Sequence, residues 1–255
     1  FLYGLLCEGV GDNRRYRLWL ITNKHVLKGL KKIVIKFNSL EDEGSQDYSI
    51  DLFDQEGNPA WFNHPNENID VAAIFINASV LDHEKRKYSF FKSDDHTAKR
   101  DRLKNLSITE GDRVFVLGFP MGIVSELRQY TFCRSGIFSR VRDFIEGKSN
   151  QFVLDVLVFP GNSGGPVILC PSALAIEGTQ TIPKADLVGI VKSYIPYQDT
   201  AISQQTGRSR IIFEENSGLT SAESADSIHE VAELADNVLK VKMQQLKLKT
   251  KDHEG

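Results

Sequence analysis

Cysteine is scarce in this chain, with only Cys7, Cys133 and Cys170 in 255 residues. An odd, sparse count builds no disulfide framework and suits a reducing compartment better than an oxidising one. Long hydrophobic runs are missing too. No stretch approaches the ~20 apolar residues that a membrane-spanning helix needs. The visible N-terminus shows no charged segment leading into an apolar one, so no signal peptide is seen, and the expected setting is the cytoplasm. Charge of one sign is also lacking: 31 Lys and Arg against 34 Asp and Glu leave a formal net charge of −3. That balance gives no electrostatic reason to expect nucleic acid or an anionic membrane as partner. The six histidines, His25, His64, His83, His96, His229 and His253, are scattered. No His-Glu-x-x-His, paired Cys-x-x-Cys or phosphate loop occurs, so neither a metal nor a cofactor is expected. What remains is enough chain for one large domain or two fused halves.

Short apolar runs separated by Gly, Asn, Asp and Pro predict an all-β protein. Candidate strands in the first half are 2–9, 16–22, 32–38, 48–53 and 71–76. The charged stretch from Asp82 to Lys104 breaks the rhythm and reads as a connection. Strands resume at 113–117, 130–139, 151–156, 166–170, 186–194 and 210–213, with loops expected at 39–47, 142–150, 172–185 and 196–209. Cys133 and Cys170 fall in apolar runs and read as buried thiols. Near the C-terminus the period changes. Ile228, Val231, Leu234, Ala235, Val238 and Leu239 recur at helical spacing, and Ser227-Ile228-His229-Glu230 fits a capping box. This helix is expected to pack on the second half. The lysine-rich tail from Lys240, with Leu246 and Leu248, reads as a frayed end.

Three strings carry chemistry. In Phe159-Pro160-Gly161-Asn162-Ser163-Gly164-Gly165-Pro166, glycines flank a serine on a tight turn that presents its hydroxyl outward. The N–H groups of Gly161 and Ser163, with that of Asn162 in the same turn, suit an oxyanion hole. A serine hydroxyl needs an adjacent base, and Leu18-Trp19-Leu20-Ile21-Thr22-Asn23-Lys24-His25 delivers His25 at the end of an apolar run. The base needs an orienting carboxylate. Asp70, in Asn68-Ile69-Asp70-Val71-Ala72-Ala73, is pressed against an apolar strand and is expected to be buried with a partner. The order His25, Asp70, Ser163 is that of one of the convergent Ser-His-Asp arrangements, the chymotrypsin type.

Together these strings resemble bacterial trypsin-like peptidases, most closely the HtrA/Deg protease domain. Gly111–Gly122, Thr131–Ser139 and Leu187–Val191 are similar to that family's second-barrel strands, and Asp155 falls where it often has an acid. The resemblance covers roughly residues 1–240. It implies two six-stranded β-barrels followed by a C-terminal α-helix, with His25 and Asp70 on one barrel and Ser163 on the other. The implied boundaries are a protease domain at 1–221 (barrel one about 1–90, connection about 91–110, barrel two about 111–221) and a helix and tail at 222–255. It also implies a substrate pocket lined by Leu157, Val158, Phe159, Pro160, Val191, Lys192, Ser193 and Tyr194. With no acid at Leu157, small or medium apolar side chains are preferred over Arg or Lys. The chain departs from the family in two ways. Asn162 stands where secreted trypsins carry an activating Asp, and the C-terminal helix is read as leaving no room for the PDZ module that the family usually carries, so none is expected. The implied function is a serine endopeptidase of protein or peptide substrates. It is either constitutively active or latent until a regulatory partner orders its loops. The alternative is a non-enzymatic scaffold that keeps the fold.

Overall fold

The computed structural model describes residues 1–172, 178 and 180–252, of which 246–252 by backbone only. Eight strands come first: β1 (Leu2–Glu8), β2 (Arg15–Thr22), β3 (Lys32–Ser39), β4 (Ser45–Asp51), β5 (Trp61–Asn63), β6 (Ala72–Ile76), β7 (Arg86–Lys87) and β8 (Phe91–Lys92). Six follow: β9 (Arg113–Gly118), β10 (Phe132–Arg140), β11 (Gln151–Asp155), β12 (Pro166–Leu169), β13 (Leu187–Ile202) and β14 (Ser209–Ser224). The helices are α1 (Lys24–Leu27), α2 (Ala78–His83), α3 (Arg100–Asn105), α4 (Arg142–Ile145) and α5 (Ala225–Asp252). The chain divides into two compact units. The first comprises residues 1–97, 124–130 and the stretch from Ala225; the second comprises 98–123 and 131–224.

In the first unit β5-β6-β2-β1-β8 form one sheet and β4-β3-β7 another. Alternation along β2 explains its two apolar faces. Leu18 and Leu20 join Leu2, Phe37, Leu52, Ile74 and Ile76 in the core between the sheets. Trp19 and Ile21, with Tyr3 of β1, face the other way and are nonetheless fully buried, because α5 lies against β1, β2, β5 and β6. The helix therefore docks on the first unit, not on the second half as its position in the chain suggests. Its buried stripe is Ile228, Val231, Ala232 and Ala235, whereas Leu234 and Val238 are exposed. Each fully buried Ile or Val of that stripe contributes roughly 1.5–3 kcal/mol. Polar ties set the register: the Tyr3 hydroxyl meets His229 Nδ1 at 3.0 Å, His64 Nε2 meets Glu230 at 2.8 Å, and Arg17 pairs with Asp236. Ser227 is buried inside the first turn, so it does not cap the helix, which starts two residues earlier at Ala225. The side chains of Leu246 and Leu248 lie outside the described residues.

In the second unit six antiparallel strands close into a barrel in the order β10-β11-β14-β13-β12-β9. Val114, Val116, Phe138, Phe152, Leu154, Val167, Leu169 and Ala222 fill it. The expected all-β architecture with a terminal helix is thus observed. Closure by hydrogen bonding belongs to the second unit; the first keeps its strands in two sheets around one core. The expected loop 196–209 is corrected. Pro196–Ile202 and Ser209–Asn216 continue β13 and β14 beyond the barrel as a two-stranded ribbon, leaving only the turn between them irregular. The expected loop 142–150 contains α4, and part of 172–185 lies outside the described residues. Cys170 is buried as expected, but Cys133 is exposed with Cys7, because its position on β10 points out of the barrel. All three thiols are free.

Candidate active site

The antiparallel register of β2 on β6 pairs Thr22 with Ala72 and Ile21 with Ala73. The end of one strand therefore lies beside the start of the other, and residues 45 positions apart meet. Just past β2, Asn23 is extended (φ −86°, ψ 150°) and hands the chain to the single turn of α1, which carries His25. Asp70 precedes β6 between the buried Ile69 and Val71. His25 Nδ1 lies 2.5 Å from Asp70 Oδ2, and the His25 N–H donates to Asp70 Oδ1 at 3.1 Å. Both carboxylate oxygens thus engage one residue, which fixes the ring's position. With Nδ1–H directed at the carboxylate, Nε2 is left as the acceptor nitrogen. The imidazole side chain is 48% exposed and the Asp70 side chain 14%, so the base is open to solvent while its orienting group is shielded.

One residue of this arrangement went unnoticed in the sequence. Asn23 is fully buried, and its Nδ2 donates to the Asp70 carbonyl at 2.7 Å. It ties the two chain segments together from below. Its signal was a polar side chain directly after an unbroken apolar strand, which reads as a turn former unless burial is known.

In the second unit the turn from Phe159 to Gly165 holds Ser163. Asn162 is its internal strut. Its N–H donates to the Phe159 carbonyl (2.9 Å), its carbonyl accepts from Gly165 (2.9 Å), and its Oδ1 accepts from the Phe159 N–H (3.0 Å). Asn162 is 1% exposed, so its side chain serves the turn itself. Its N–H, expected among the oxyanion donors, is spent on Phe159 and is not one of them. The N–H groups of Gly161 and Ser163 have no acceptor among the described residues. Gly161 sits at φ +95°, and a Cβ there would lie 2.5 Å from the Phe119 carbonyl oxygen, so only glycine fits. The Pro160 carbonyl accepts from Met121 N–H at 2.6 Å. β13 grips the other side of the turn. Gly164 N–H donates to Val191 O (3.0 Å), Val191 N–H to Gly165 O (2.9 Å), and the Ser163 hydroxyl to Lys192 O (3.0 Å).

The expected pocket residues separate into two groups. Val158 and Val191 are buried in the barrel core, so their side chains are not pocket walls. Leu157, Pro160 and Ser193 are exposed. Phe159 lies under the Arg134 guanidinium, 5.2 Å from its ring centre. Tyr194 packs its ring on the barrel core, and its hydroxyl donates to Glu214 at 2.6 Å. Lys192, an unexpected charge in an apolar wall, is explained: its Nζ pairs at 3.1 Å with the fully buried Glu223, which also accepts from Gln151 Nε2 at 2.9 Å.

Among the described residues no cluster of His, Cys, Asp and Glu is arranged to hold a metal ion, and no helix is long and apolar enough to cross a membrane. Residues 7–172, which include His25, Asp70 and Ser163, match the family model of the trypsin-like peptidase domain. No curated protein matches the chain.

Proposed function

The chain belongs to the family of trypsin-like peptidase domains, hydrolases that act on peptide bonds of protein substrates, and we propose that it is a serine endopeptidase with His25, Asp70 and Ser163 as its triad. Ser163 Oγ attacks the scissile carbonyl while His25 Nε2 takes its proton and then delivers it to the leaving amine. The resulting acyl-enzyme is hydrolysed by water activated through the same imidazole. Asp70 holds the tautomer and stabilises the imidazolium. The Gly161 and Ser163 N–H groups receive the oxyanion. The observation that carries this reading is the double engagement of Asp70 with His25, at Nδ1 and at the backbone N–H. A carboxylate held that way is suited to orienting a base, which favours the enzyme over the scaffold reading.

A second reading is latency until a partner or effector reorders the loops. It is supported by the Ser163 hydroxyl, whose proton is donated to the Lys192 carbonyl at 3.0 Å and so is engaged by a group other than a base. The Thr-Asn-Lys-His and Gly-Asn-Ser-Gly-Gly-Pro strings support a bacterial enzyme of the HtrA type, and three free thiols suit a reducing, cytoplasmic setting. Exposed Leu157 and the absence of an acid at that position support cleavage after small or medium apolar residues. Robust turnover of an Arg-terminated chromogenic peptide overturns that preference. The test of the main proposal is fluorophosphonate labelling of the native chain, Ser163→Ala and His25→Ala, followed by casein digestion. Labelling lost in both variants, with casein cleaved by the native chain, supports the active enzyme. No labelling of the native chain refutes constitutive activity and leaves the latent and scaffold readings.

A further inference from the structure

The ribbon formed by the outer parts of β13 and β14 carries apolar side chains that its own unit leaves in solvent. Ile211, Ile212 and Phe213 are 55, 63 and 53% exposed, and Tyr197 and Ile202 are 60 and 63% exposed. Ser209 and Ile211–Asn216 pair with β13 along one edge, with Arg210 the extra residue of a bulge between them. The other edge of β14 is taken by β11 only from Leu219 to Glu223. Among the described residues no strand pairs with that edge over Ser209–Asn216. A free edge with exposed apolar side chains is a template for another strand.

The composition of the edge identifies the strand that fits. Arg208-Ser209-Arg210-Ile211-Ile212-Phe213-Glu214-Glu215 is basic at its start, apolar at its centre and acidic at its end. Read in reverse, it complements itself. We propose that this edge is a two-fold interface on which β14 of a second copy pairs antiparallel, centred on Ile212.

A two-fold axis perpendicular to the sheet keeps each face of the ribbon on the same side in both copies, and the contact is isologous. Ile212 then meets Ile212 of the second copy, Ile211 meets Phe213, and Arg210 meets Glu214, the last two pairs each occurring twice. One face of the joined ribbons is closed by Ile–Phe pairs. The other has the isoleucine pair at its centre and an Arg–Glu pair at each side. Opposite charges directly across a strand pair stabilise it and like charges destabilise it, so a parallel arrangement, which sets Arg beside Arg and Glu beside Glu, is disfavoured. Glu214 is already positioned by the Tyr194 hydroxyl and by Gln198 Nε2 at 3.0 Å. The Arg210 side chain is exposed and makes no hydrogen bond or ion pair among the described residues, so its guanidinium is available. The competing explanation is that the flanking charges only guard an apolar run against aggregation.

Light scattering on the full chain, followed through the micromolar range, decides between them. The native chain should show twice its 28.7 kDa mass. Arg210→Glu alone and Glu214→Arg alone should each fall to the single-chain mass, because like charges then face each other across both ends. An equimolar mixture of the two variants should recover the doubled mass, since their altered ends complement one another. Arg210→Glu removes no bond within the chain, so an unchanged circular dichroism spectrum separates lost association from lost folding. A native chain at single-chain mass throughout overturns the proposal. So does an Arg210→Glu variant that keeps the doubled mass, or a mixture that stays single. None of these readouts depends on catalysis.

Discussion

Asn23 anchors the backbone of Asp70, and two replacements there damage the molecule in different, calculable ways. Its side chain is fully buried and supplies one hydrogen bond, 2.7 Å from Nδ2 to the Asp70 carbonyl. Asn23→Ala deletes the donor and leaves the part-buried Asp70 carbonyl without it. An unsatisfied buried group costs about 1–3 kcal/mol, and in a protein of this size 1 kcal/mol moves Tm by roughly 2–4 °C. The expected loss is therefore about 2 kcal/mol, or roughly 4–8 °C in a thermal melt. Asn23→Asp keeps the shape but points an acceptor at an acceptor. The acid restores the bond only when protonated, so its pKa in the folded state must rise above the ordinary carboxylate value. A group raised on folding stabilises at pH below its unfolded pKa, and that contribution is lost as pH climbs through the folded pKa. The Asp variant should thus lie close to the native chain near about pH 4 and fall steadily further below it toward about pH 8. The Ala variant should show a deficit that barely changes over that range. Melts of the three proteins across pH measure both. A deficit below about 0.5 kcal/mol for Asn23→Ala, the range of neutral surface changes, refutes the reasoning, as does an identical pH course for the two variants. Under the proposed triad, losing this anchor loosens the Asp70–His25 geometry, so kcat should fall by up to about 100-fold with KM little changed.

Gly161→Ala places a Cβ 2.5 Å from the Phe119 carbonyl at a φ of +95°, so the turn must shift and carry a donor N–H with it; fluorophosphonate labelling should slow by about 10²–10³-fold, and an unchanged rate removes Gly161 from the oxyanion site. Lys192→Met removes the cation paired with the buried Glu223 and should destabilise by about 3–5 kcal/mol, whereas Lys192→Met with Glu223→Met should recover most of that loss, as read from denaturant midpoints. The Glu110 carboxylate accepts from the N–H groups of Val141 and Arg142 at the start of α4 (3.0 and 3.1 Å). Burial works to raise its pKa, but those N–H bonds outweigh it and hold the pKa at about 2, below the ordinary 4.5. Its stabilisation is present above pH 4.5 and is lost as pH falls toward 2. With the side chain 30% exposed, Glu110→Gln should cost about 1 kcal/mol at neutral pH, and the difference from the native chain should vanish in acid melts.

Strands were readable where one face is buried and the other wet, because that writes a period of two directly into the residues. β9 and β11 fall within one residue of their expected bounds for this reason, whereas β2 and β6, buried on both faces, were readable as unbroken apolar runs between turn formers. The ribbon was hidden by the same physics. Among the described residues neither face of β13 and β14 is covered outside the barrel, so Gln198, Asp199, Thr200, Ile211, Ile212 and Phe213 show no clean alternation and read as loop. The two-residue strands β7 and β8 are too short to carry any period. The helix was legible but its docking face was not. Nothing local to α5 encodes that its partners are Tyr3, Arg17 and His64, which lie 226, 219 and 166 positions away from the residues they meet.

The candidate catalytic residues were legible because chemistry restricts them to few residue types in a fixed order. The residues that hold them were not. Asn23 and Asn162 appear in the sequence as ordinary turn formers, yet both are buried and spend their amide or backbone groups on neighbours in the turn or the facing strand. Lys192 reads as a misplaced charge until Glu223 is seen beneath it. In each case the missing information is a partner brought close by strand register or turn closure. Polar residues beside a catalytic string are therefore better read by what they must be bonded to if buried than by their turn propensity. That rule singles out Asn23 and Lys192 before any mutation is made, and the stability of Asn23→Asp as a function of pH is its most direct trial.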